Sequence, residues 1–229
     1  MHKSVWSENT ALPAFEKLSG EKKCDVLVIG GGICGLLCAY FLKNAGVNCV
    51  LVEGKTIASG TTKNTTAKIT SQHGLIYSKL MKLSGEEKAG MYYNANERAL
   101  EQYEKLCRKI ECDFERCDAY TYSLRDRVRI EKEVNSAQRL GADADFLEEC
   151  ELPFQIKGAV RFKNQAQFNP LKFISGIAKG LDIYENTLVR DITPDCAVSE
   201  NGKIRADKII VSTHFPFINK HGSYFLKLY

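Results

Sequence analysis

Three glycines and one acidic residue have types and a spacing that could bind a phosphate-containing ligand: Gly30, Gly32, Gly35 and Glu53. Gly30 would let the chain turn sharply after a strand, and Gly32 would let a pyrophosphate approach the backbone. Gly35 would let a following helix pack closely against that strand. The N–H groups and dipole of the helix start attract phosphates, and Glu53 could accept hydrogen bonds from ribose hydroxyls. The pattern therefore predicts a dinucleotide site.

The elements around these residues must form a strand, a turn, a helix and a second strand. Residues 26–42 are uncharged, but a membrane-spanning helix needs about 20 mostly apolar residues and glycines weaken a helix. We predict a strand at 25–29, a helix at 33–44 and a strand at 49–52 that ends on Glu53. This order is typical of a dinucleotide-binding βαβ unit. A purely structural turn in another α/β unit is the alternative.

Composition limits the classes of protein to consider. The chain has 229 residues, 44% of them hydrophobic, and a net charge of +4. That charge is small and no basic tract accompanies it, which argues against nucleic-acid binding. The N-terminal residues lack the apolar core of a secretory signal, and no segment is long enough to span a membrane. We expect a cytoplasmic protein.

The nine cysteines fit this location, because cytoplasmic thiols stay reduced. Those within the βαβ unit have the character of small core residues. Cys107, Cys112 and Cys117 follow one another at intervals of five residues, which differs from the C-x2-C spacing of zinc sites. We therefore predict no metal site.

Beyond the βαβ unit, residues 59–74 are rich in hydroxyl groups, and either a phosphate-binding segment or a solvated loop would have this composition. Ser84 and Glu87 form a capping box, which predicts a long helix over 84–110. We further predict strands at 119–124 and 158–164, helices at 125–141 and 169–180, and short strands beyond 181 with a turn at Asn201 and Gly202. These patterns predict a discontinuous nucleotide domain, 1–83 and 170–229, interrupted by a mixed α+β insertion at 84–169.

These motifs resemble a known family. The stretch VLVIGGGICGLLCAYFLKNAGVNCVLVE, followed by SGTT, FNPLKF and KIRADKIIVSTHFP, is similar to FAD-dependent oxidases of the D-amino-acid oxidase and glycine oxidase type. The stretch SGTTKNTTAKITSQHGLIY resembles one bacterial branch of this family, whose members often carry a Rieske domain. The resemblance implies an α/β fold in which a Rossmann-like FAD-binding domain with a central parallel sheet is interrupted by part of a substrate domain.

The resemblance also implies which residues bind FAD. The glycine turn would face the pyrophosphate, Glu53 the ribose, the threonine segment the phosphates and flavin, and Val189 the adenine. The predicted cofactor-binding residues are Gly30, Gly32, Ile33, Cys34, Gly35, Glu53, Gly54, Lys55, Gly60, Thr61, Thr62, Thr65, Thr66, Ala67, Lys68, Val189 and Thr213.

Lys68 and His73 are weak candidates for a direct role in catalysis. A cation at Lys68 could stabilise the anionic reduced flavin, although a surface lysine is an equal alternative. His73 could lie near the flavin, or it could be a structural or solvated histidine. No catalytic residue is assigned.

The family pattern continues well beyond Tyr229, so the C-terminal part of the fold is expected to be absent. The final SYFLKLY stretch predicts an unpaired apolar strand, and no CxH…CxxH pair for a Rieske cluster is present. A partner chain could supply the missing half. Three functions remain: an amine or amino-acid oxidoreductase that transfers hydride to flavin N5, a NAD(P)-binding dehydrogenase fragment, or a non-catalytic nucleotide-binding subunit.

Overall fold

The computed structural model describes residues 4–214, and the chain divides into two compact units. The first joins Met1–Thr65 to Pro170–Tyr229, and the second is Thr66–Asn169. The second unit thus begins at Thr66, whereas the sequence patterns placed the change at residue 84. The difference arises because residues 68 and 69 form a strand that pairs within the second unit.

Within residues 4–214, the first unit contains two helices longer than two turns, one short helix, one 3₁₀ turn and a six-stranded sheet. Its elements are α1 (Val5–Glu8), β1 (Gly20–Ile29), α2 (Ile33–Asn44), β2 (Cys49–Val52), the 3₁₀ turn (Thr61–Asn64), α5 (Pro170–Ile177), β7 (Asp182–Tyr184), β8 (Val189–Thr193), β9 (Cys196–Ser199) and β10 (Gly202–Val211). The sheet order is β7-β2-β1-β10-β9-β8. The four strands β7, β2, β1 and β10 are parallel to one another, while β9 pairs antiparallel with both β10 and β8. The predicted central parallel sheet is therefore part of a mixed sheet.

The βαβ unit forms where the sequence predicts it. The helix at Ile33–Asn44 and the strand at Cys49–Val52 have the predicted bounds, and β1 begins at Gly20, before the predicted start at residue 25. Leu27 and Val28 are fully buried because helices and loops cover both faces of a parallel strand. The register pairs Ile29 with Val52, so both strands end at the same edge. The glycine turn and Glu53 are thereby brought side by side.

The tail of the chain returns to the first unit through β10. This strand runs parallel to β1 along its whole length, from the pair Gly20 and Gly202 to the pair Ile29 and Val211. The predicted turn at Asn201 connects β9 to β10 as an antiparallel hairpin. The apolar residues at the end of this strand, 209–211, are half-buried. The predicted SYFLKLY strand lies outside the described residues.

The second unit is built on an antiparallel sheet flanked by two helices. Its elements in the described chain are β3 (Lys68–Ile69), α3 (Tyr77–Cys107), β4 (Glu115–Ser123), α4 (Arg127–Arg139), β5 (Ala144–Leu147) and β6 (Gly158–Gln167). β6 is central: β4 pairs along one side, and β3 and β5 pair along the other. Side chains of α3, α4 and β6, including Tyr77, Ile130 and Phe162, form its core.

α3 consists of two helical segments that meet at Gly85, where φ is 83° and ψ is 164°. The second segment follows this break and starts next to the predicted capping box at Ser84, while the first segment, which starts at Tyr77, was not predicted. The buried Glu133 of α4 accepts hydrogen bonds from the backbone N–H groups of Tyr77 (2.7 Å) and Ser78 (3.0 Å). This carboxylate satisfies two N–H groups that a helix start leaves without partners. The start of the first segment therefore depends on a residue far along the chain.

Residues 4–214 lack two kinds of feature. None of the helices there combines the length and apolar character required to cross a bilayer. In the same part of the chain, no group of three or more His, Cys, Asp and Glu side chains is arranged to hold a metal ion.

Candidate functional site

The turn after β1 is shaped by two glycines whose missing side chains let backbone segments touch. Gly30 has a φ of +112°, and a Cβ atom there would lie 2.8 Å from the carbonyl oxygen of Ser212. At Gly35, a Cβ atom would lie 2.0 Å from the carbonyl oxygen of Gly30. Such distances are far below contact, so the fold itself requires glycine at both positions. They bring the start of α2 close to the end of β1.

Gly32 has a different environment from Gly30 and Gly35. Its backbone is extended, with φ −75° and ψ 175°. The nearest atom to a Cβ atom at this position would be Thr62 Oγ1, at an ordinary contact distance of 3.5 Å. The described fold therefore does not require glycine here. The open space before the backbone at Gly32 fits a ligand that must approach the helix start closely.

Glu53 extends its side chain across the glycine turn. Its Oε2 accepts a 2.7 Å hydrogen bond from the backbone N–H of Gly31, and its Oε1 accepts one of 2.8 Å from Lys55. A Cβ atom at Gly31 would lie 2.9 Å from Glu53 Cβ, so the middle glycine of the triplet lets Glu53 approach. Each carboxylate oxygen can accept a further hydrogen bond. The half-buried group is therefore fixed in place and still able to bind hydroxyl groups.

A threonine hydroxyl lies at the positive end of α2. Thr62 Oγ1 accepts a 3.1 Å hydrogen bond from the backbone N–H of Ile33, the first residue of the helix. Thr62 is buried and belongs to the 3₁₀ turn. While accepting from this N–H, the hydroxyl can still donate its own proton to an anion. Thr62 thus adds a donor to a helix start that already favours negative charge.

These residues line one cavity of about 350 Å³ within the first unit, a size found for small-molecule sites. Ten predicted cofactor-binding residues line it: Gly30, Gly32, Ile33, Cys34, Glu53, Lys55, Gly60, Thr61, Thr62 and Thr213. Four further lining residues were missed: Ala58, Ser59, Ser212 and His214. Each lies within two residues of a predicted one or in the same hydroxyl-rich segment, so extending each motif by a few positions would have found them.

Ser212 lines the cavity at the end of β10. Its backbone N–H donates to the carbonyl oxygen of Ile29 at 2.8 Å, which continues the pairing of β10 with β1. Its hydroxyl oxygen is buried, has no hydrogen-bond partner among the described residues, and would lie 3.0 Å from a Cβ atom at Gly35. The hydroxyl therefore packs on the inner side of the glycine turn.

Four predicted residues of the first unit do not line the cavity. Gly35 is buried behind the turn, and Gly54 faces the side chain of Leu188, whose Cδ1 would lie 3.0 Å from a Cβ atom there. Val189 is buried in the core of the unit. The carbonyl oxygen of Thr65 accepts a hydrogen bond from the Trp6 indole at 2.9 Å. Gly35 and Thr65 therefore affect the cavity indirectly, by supporting the residues that line it.

The other predicted residues belong to the second unit. Ala67 is buried with a φ of +61°, and Lys68 is exposed on β3 opposite Gln167. Thr66 is exposed. His73 is also exposed, and its Nδ1 lies 2.8 Å from the hydroxyl of Tyr92. Roles for these four residues at a flavin remain predictions.

The wall that carries Glu53 is held by a buried acid that the sequence patterns missed. Glu185 is 3% exposed, and its Oε1 accepts a 2.6 Å hydrogen bond from the backbone N–H of Ile57. The next residues extend this support, because Asn186 N–H donates to the carbonyl of Lys55 and Thr187 N–H to that of Glu53. Hydrogen bonds thus hold residues 53–57 against the connection between β7 and β8.

The thiols around α2 differ in accessibility. Among the nine cysteines, all unpaired and all in the described part of the chain, Cys34 is exposed and the rest are half-buried or buried. Burial raises the pKa of Cys38, and it raises that of Cys49 to about 11. Both thiols therefore stay protonated at neutral pH, in keeping with their expected role as small core residues. For Cys34 that expectation was wrong, because this residue is exposed.

Comparison with known proteins separates the cofactor alternatives. A family model described as FAD dependent oxidoreductase (DAO) matches residues 25–220. The chain belongs to this family. Its cofactor is FAD, and the alternative of a NAD(P)-binding dehydrogenase is not supported.

Individual relatives agree with this family. A Bacillus subtilis protein, YhfW, described as a Rieske 2Fe-2S iron–sulfur protein, is 34% identical over 99% of this chain and 47% of its own length. Gamma-glutamylputrescine oxidoreductase of Escherichia coli is 24% identical over 86% of this chain and 50% of its own. Glycine oxidase from Geobacillus kaustophilus has a similar fold, with a TM-score of 0.70, 17% identity, and coverage of 84% of this chain and 55% of that structure. The chain spans about half the length of the relatives it matches.

The cavity has features that fit the diphosphate and ribose of this cofactor. The space at Gly32 is open, and the helix start and Thr62 offer donors. Glu53 is held where it can accept from hydroxyl groups. When bound, FAD would supply the hydride acceptor; the residues described here would bind and orient its nucleotide part.

Proposed function

We propose that this chain provides the FAD-binding part of an oxidoreductase that acts on the C–N bond of an amine or amino acid. The family assignment and the activities for which two similar proteins are named, a gamma-glutamylputrescine oxidoreductase and a glycine oxidase, support this substrate class. In this proposal the second unit is part of a substrate domain. The remainder of the active site comes from sequence that these relatives have and this chain does not cover.

The observation that carries the proposal is the contrast at the glycine turn. The fold requires Gly30 and Gly35, but it leaves Gly32 facing open space beside the helix start, Thr62 and Glu53. A ligand with a diphosphate explains that space. In the proposal, Glu53 accepts from the adenosine ribose and Thr62 donates to a phosphate oxygen.

Partners and location follow as parts of the same proposal. The resemblance to YhfW supports an iron–sulfur electron acceptor, either as a further domain or as a partner chain. The nine unpaired cysteines support a reducing compartment, and we place the protein in the cytoplasm.

The test is a titration of the purified protein, stripped of cofactor, with FAD, FMN and NAD, followed by flavin fluorescence and calorimetry. We expect saturable binding of FAD, weaker binding of FMN, which lacks the adenosine, and none of NAD. Adding glycine or putrescine-type amines to the FAD complex under anaerobic conditions then tests for bleaching of the flavin absorbance. Tight FAD binding without bleaching by any amine would favour a non-catalytic nucleotide-binding subunit. The absence of FAD binding would contradict the proposal.

A further inference from the structure

The residues before β1 form an arm, residues 4–18, that contacts the cavity wall from outside the family match, which begins at residue 25. The arm starts with α1 and carries the only tryptophan of the chain, Trp6. The Trp6 indole N–H donates a 2.9 Å hydrogen bond to the carbonyl oxygen of Thr65, and the Ser4 hydroxyl donates to that of Lys63. The arm therefore binds two backbone carbonyl groups at the end of the 3₁₀ turn, those of Lys63 and Thr65.

The segment that the arm holds has little regular structure of its own. The 3₁₀ turn is four residues long, and 3₁₀ hydrogen bonds are weaker than those of an α-helix. The backbone hydrogen bonds within this segment are long. The nitrogen of Lys63 lies 3.2 Å from the carbonyl oxygen of Ala58, and the nitrogen of Thr65 lies 3.5 Å from the carbonyl oxygen of Thr62. The same turn must nevertheless present the Thr62 hydroxyl to the start of α2 at 3.1 Å. Support from outside the turn explains how it does so.

The far end of the arm is fixed to Glu185 and Thr187, in the connection between β7 and β8. The backbone N–H of Phe15 donates to Glu185 Oε2 at 3.1 Å, while the other oxygen of Glu185 accepts from Ile57. Leu18 is 2% exposed, and its N–H donates to the Thr187 hydroxyl at 3.0 Å. The arm is thus anchored in the core of the first unit, and its tip can transmit that rigidity to the 3₁₀ turn.

We propose that Trp6 is a positioning residue for the FAD site. By holding the Thr65 carbonyl, it fixes the 3₁₀ turn so that Thr62 stays at the start of α2, where the proposed function places a phosphate. The inference rests on that proposed function. Trp6 itself does not line the cavity, so its effect on FAD passes through the turn.

The test compares wild type with Trp6→Phe, which keeps an aromatic ring but removes the N–H donor, and with the double variant Ser4→Ala/Trp6→Phe. Val5→Ala is the matched control, because Val5 is exposed on the same short helix. We expect Trp6→Phe to weaken FAD binding by roughly three- to tenfold, the effect of one lost hydrogen bond, and the double variant to weaken it further. Val5→Ala should bind FAD as wild type does.

A second measurement, hydrogen exchange of the cofactor-free protein, separates positioning from general stability. We expect faster exchange at residues 61–65 in Trp6→Phe, with exchange in β1 unchanged. Equal FAD affinity in wild type and Trp6→Phe would overturn the inference while leaving the proposed function intact. Faster exchange throughout the first unit would also overturn it, since Trp6 would then be a general stabilising residue. A wild-type chain without FAD affinity would overturn both.

Discussion

The two sides of the glycine turn use the same residue type for different purposes. On the inner side, Gly30 and Gly35 allow backbone atoms to approach within distances that any side chain would prevent. On the outer side, Gly32 faces the cavity, and the described protein would accommodate a Cβ atom there. The inner glycines therefore serve folding, and we propose that the outer glycine serves binding. A sequence motif alone cannot separate these roles, but substitutions can.

The largest effect is expected on the inner side, from Gly35→Ala. The added methyl group would lie 2.0 Å from the carbonyl oxygen of Gly30, so strand and helix must separate. We expect the free energy of unfolding to fall by about 3 kcal/mol or more, the upper part of the range for overpacking. Chemical denaturation measures it. Gly90→Ala, in α3 with its nearest neighbour at 3.9 Å, is the control and should leave stability equal or slightly higher. A fully stable Gly35→Ala protein would remove the distinction between the two sides.

On the outer side, Gly32→Val should abolish FAD binding and leave the fold intact. The extended backbone at Gly32 suits valine, and the side chain would occupy the space proposed for the pyrophosphate. Circular dichroism and the thermal midpoint should match those of the cofactor-free wild type, while flavin absorbance of the purified protein should be lost. Unchanged FAD retention would contradict the site. Unfolding of this variant would show that the outer glycine also serves folding.

Glu53→Ala should have a smaller effect on the same binding reaction. We expect FAD affinity to fall by about 1–3 kcal/mol, the scale of a hydrogen bond to a charged group. Part of that loss would come from the backbone N–H groups of Gly31 and Lys55, which lose their acceptor. Calorimetric titration measures the affinity. Glu200→Ala is the control, because Glu200 is an exposed acid paired with Arg190. Wild-type affinity in Glu53→Ala would count against a ribose contact.

The smallest effect is expected on the reactivity of the Cys34 thiol, which lies on the outer side next to the helix start. Cys34 is exposed and lines the cavity, whereas burial raises the pKa of Cys38 one turn later. A charged thiol reagent at neutral pH should therefore modify Cys34 first. Added FAD should slow this modification in proportion to the fraction of protein bound, as read by mass spectrometry of the peptide. Modification at the same rate with saturating FAD would place the cofactor elsewhere, and Cys34→Ser identifies the labelled site.

Local signals explain what could be predicted from the sequence. Glycine, an apolar run and a following acid lie within about 30 residues, and they predicted α2, β2 and the approach of Glu53 to the turn. The hairpin at Asn201 and Gly202 is likewise a local pattern. The hydroxyl-rich segment had two explanations, and the structure places Thr61 and Thr62 in the cavity wall.

Contacts between distant residues explain what could not be predicted. Glu133 accepts from the N–H of Tyr77, where the first segment of α3 begins, and it lies on another helix, so that start has no local signal. The second segment follows the break at Gly85, and the local capping box at Ser84 did predict it. Glu185 occurs in a stretch without any motif, and its role arises from N–H groups of Phe15 and Ile57 that only the fold brings to it.

The pairing of β1 with β10 affects how the protein is made. During translation, the glycine turn, α2 and Glu53 leave the ribosome long before β10, which supplies the inner wall at Ser212. Throughout that interval one side of β1 has no neighbour, and an unpaired strand of ten residues is a template for aggregation. The nascent chain therefore stays prone to aggregation until β10 has been synthesised. Chaperone binding to the growing polypeptide should protect it most just before that strand emerges.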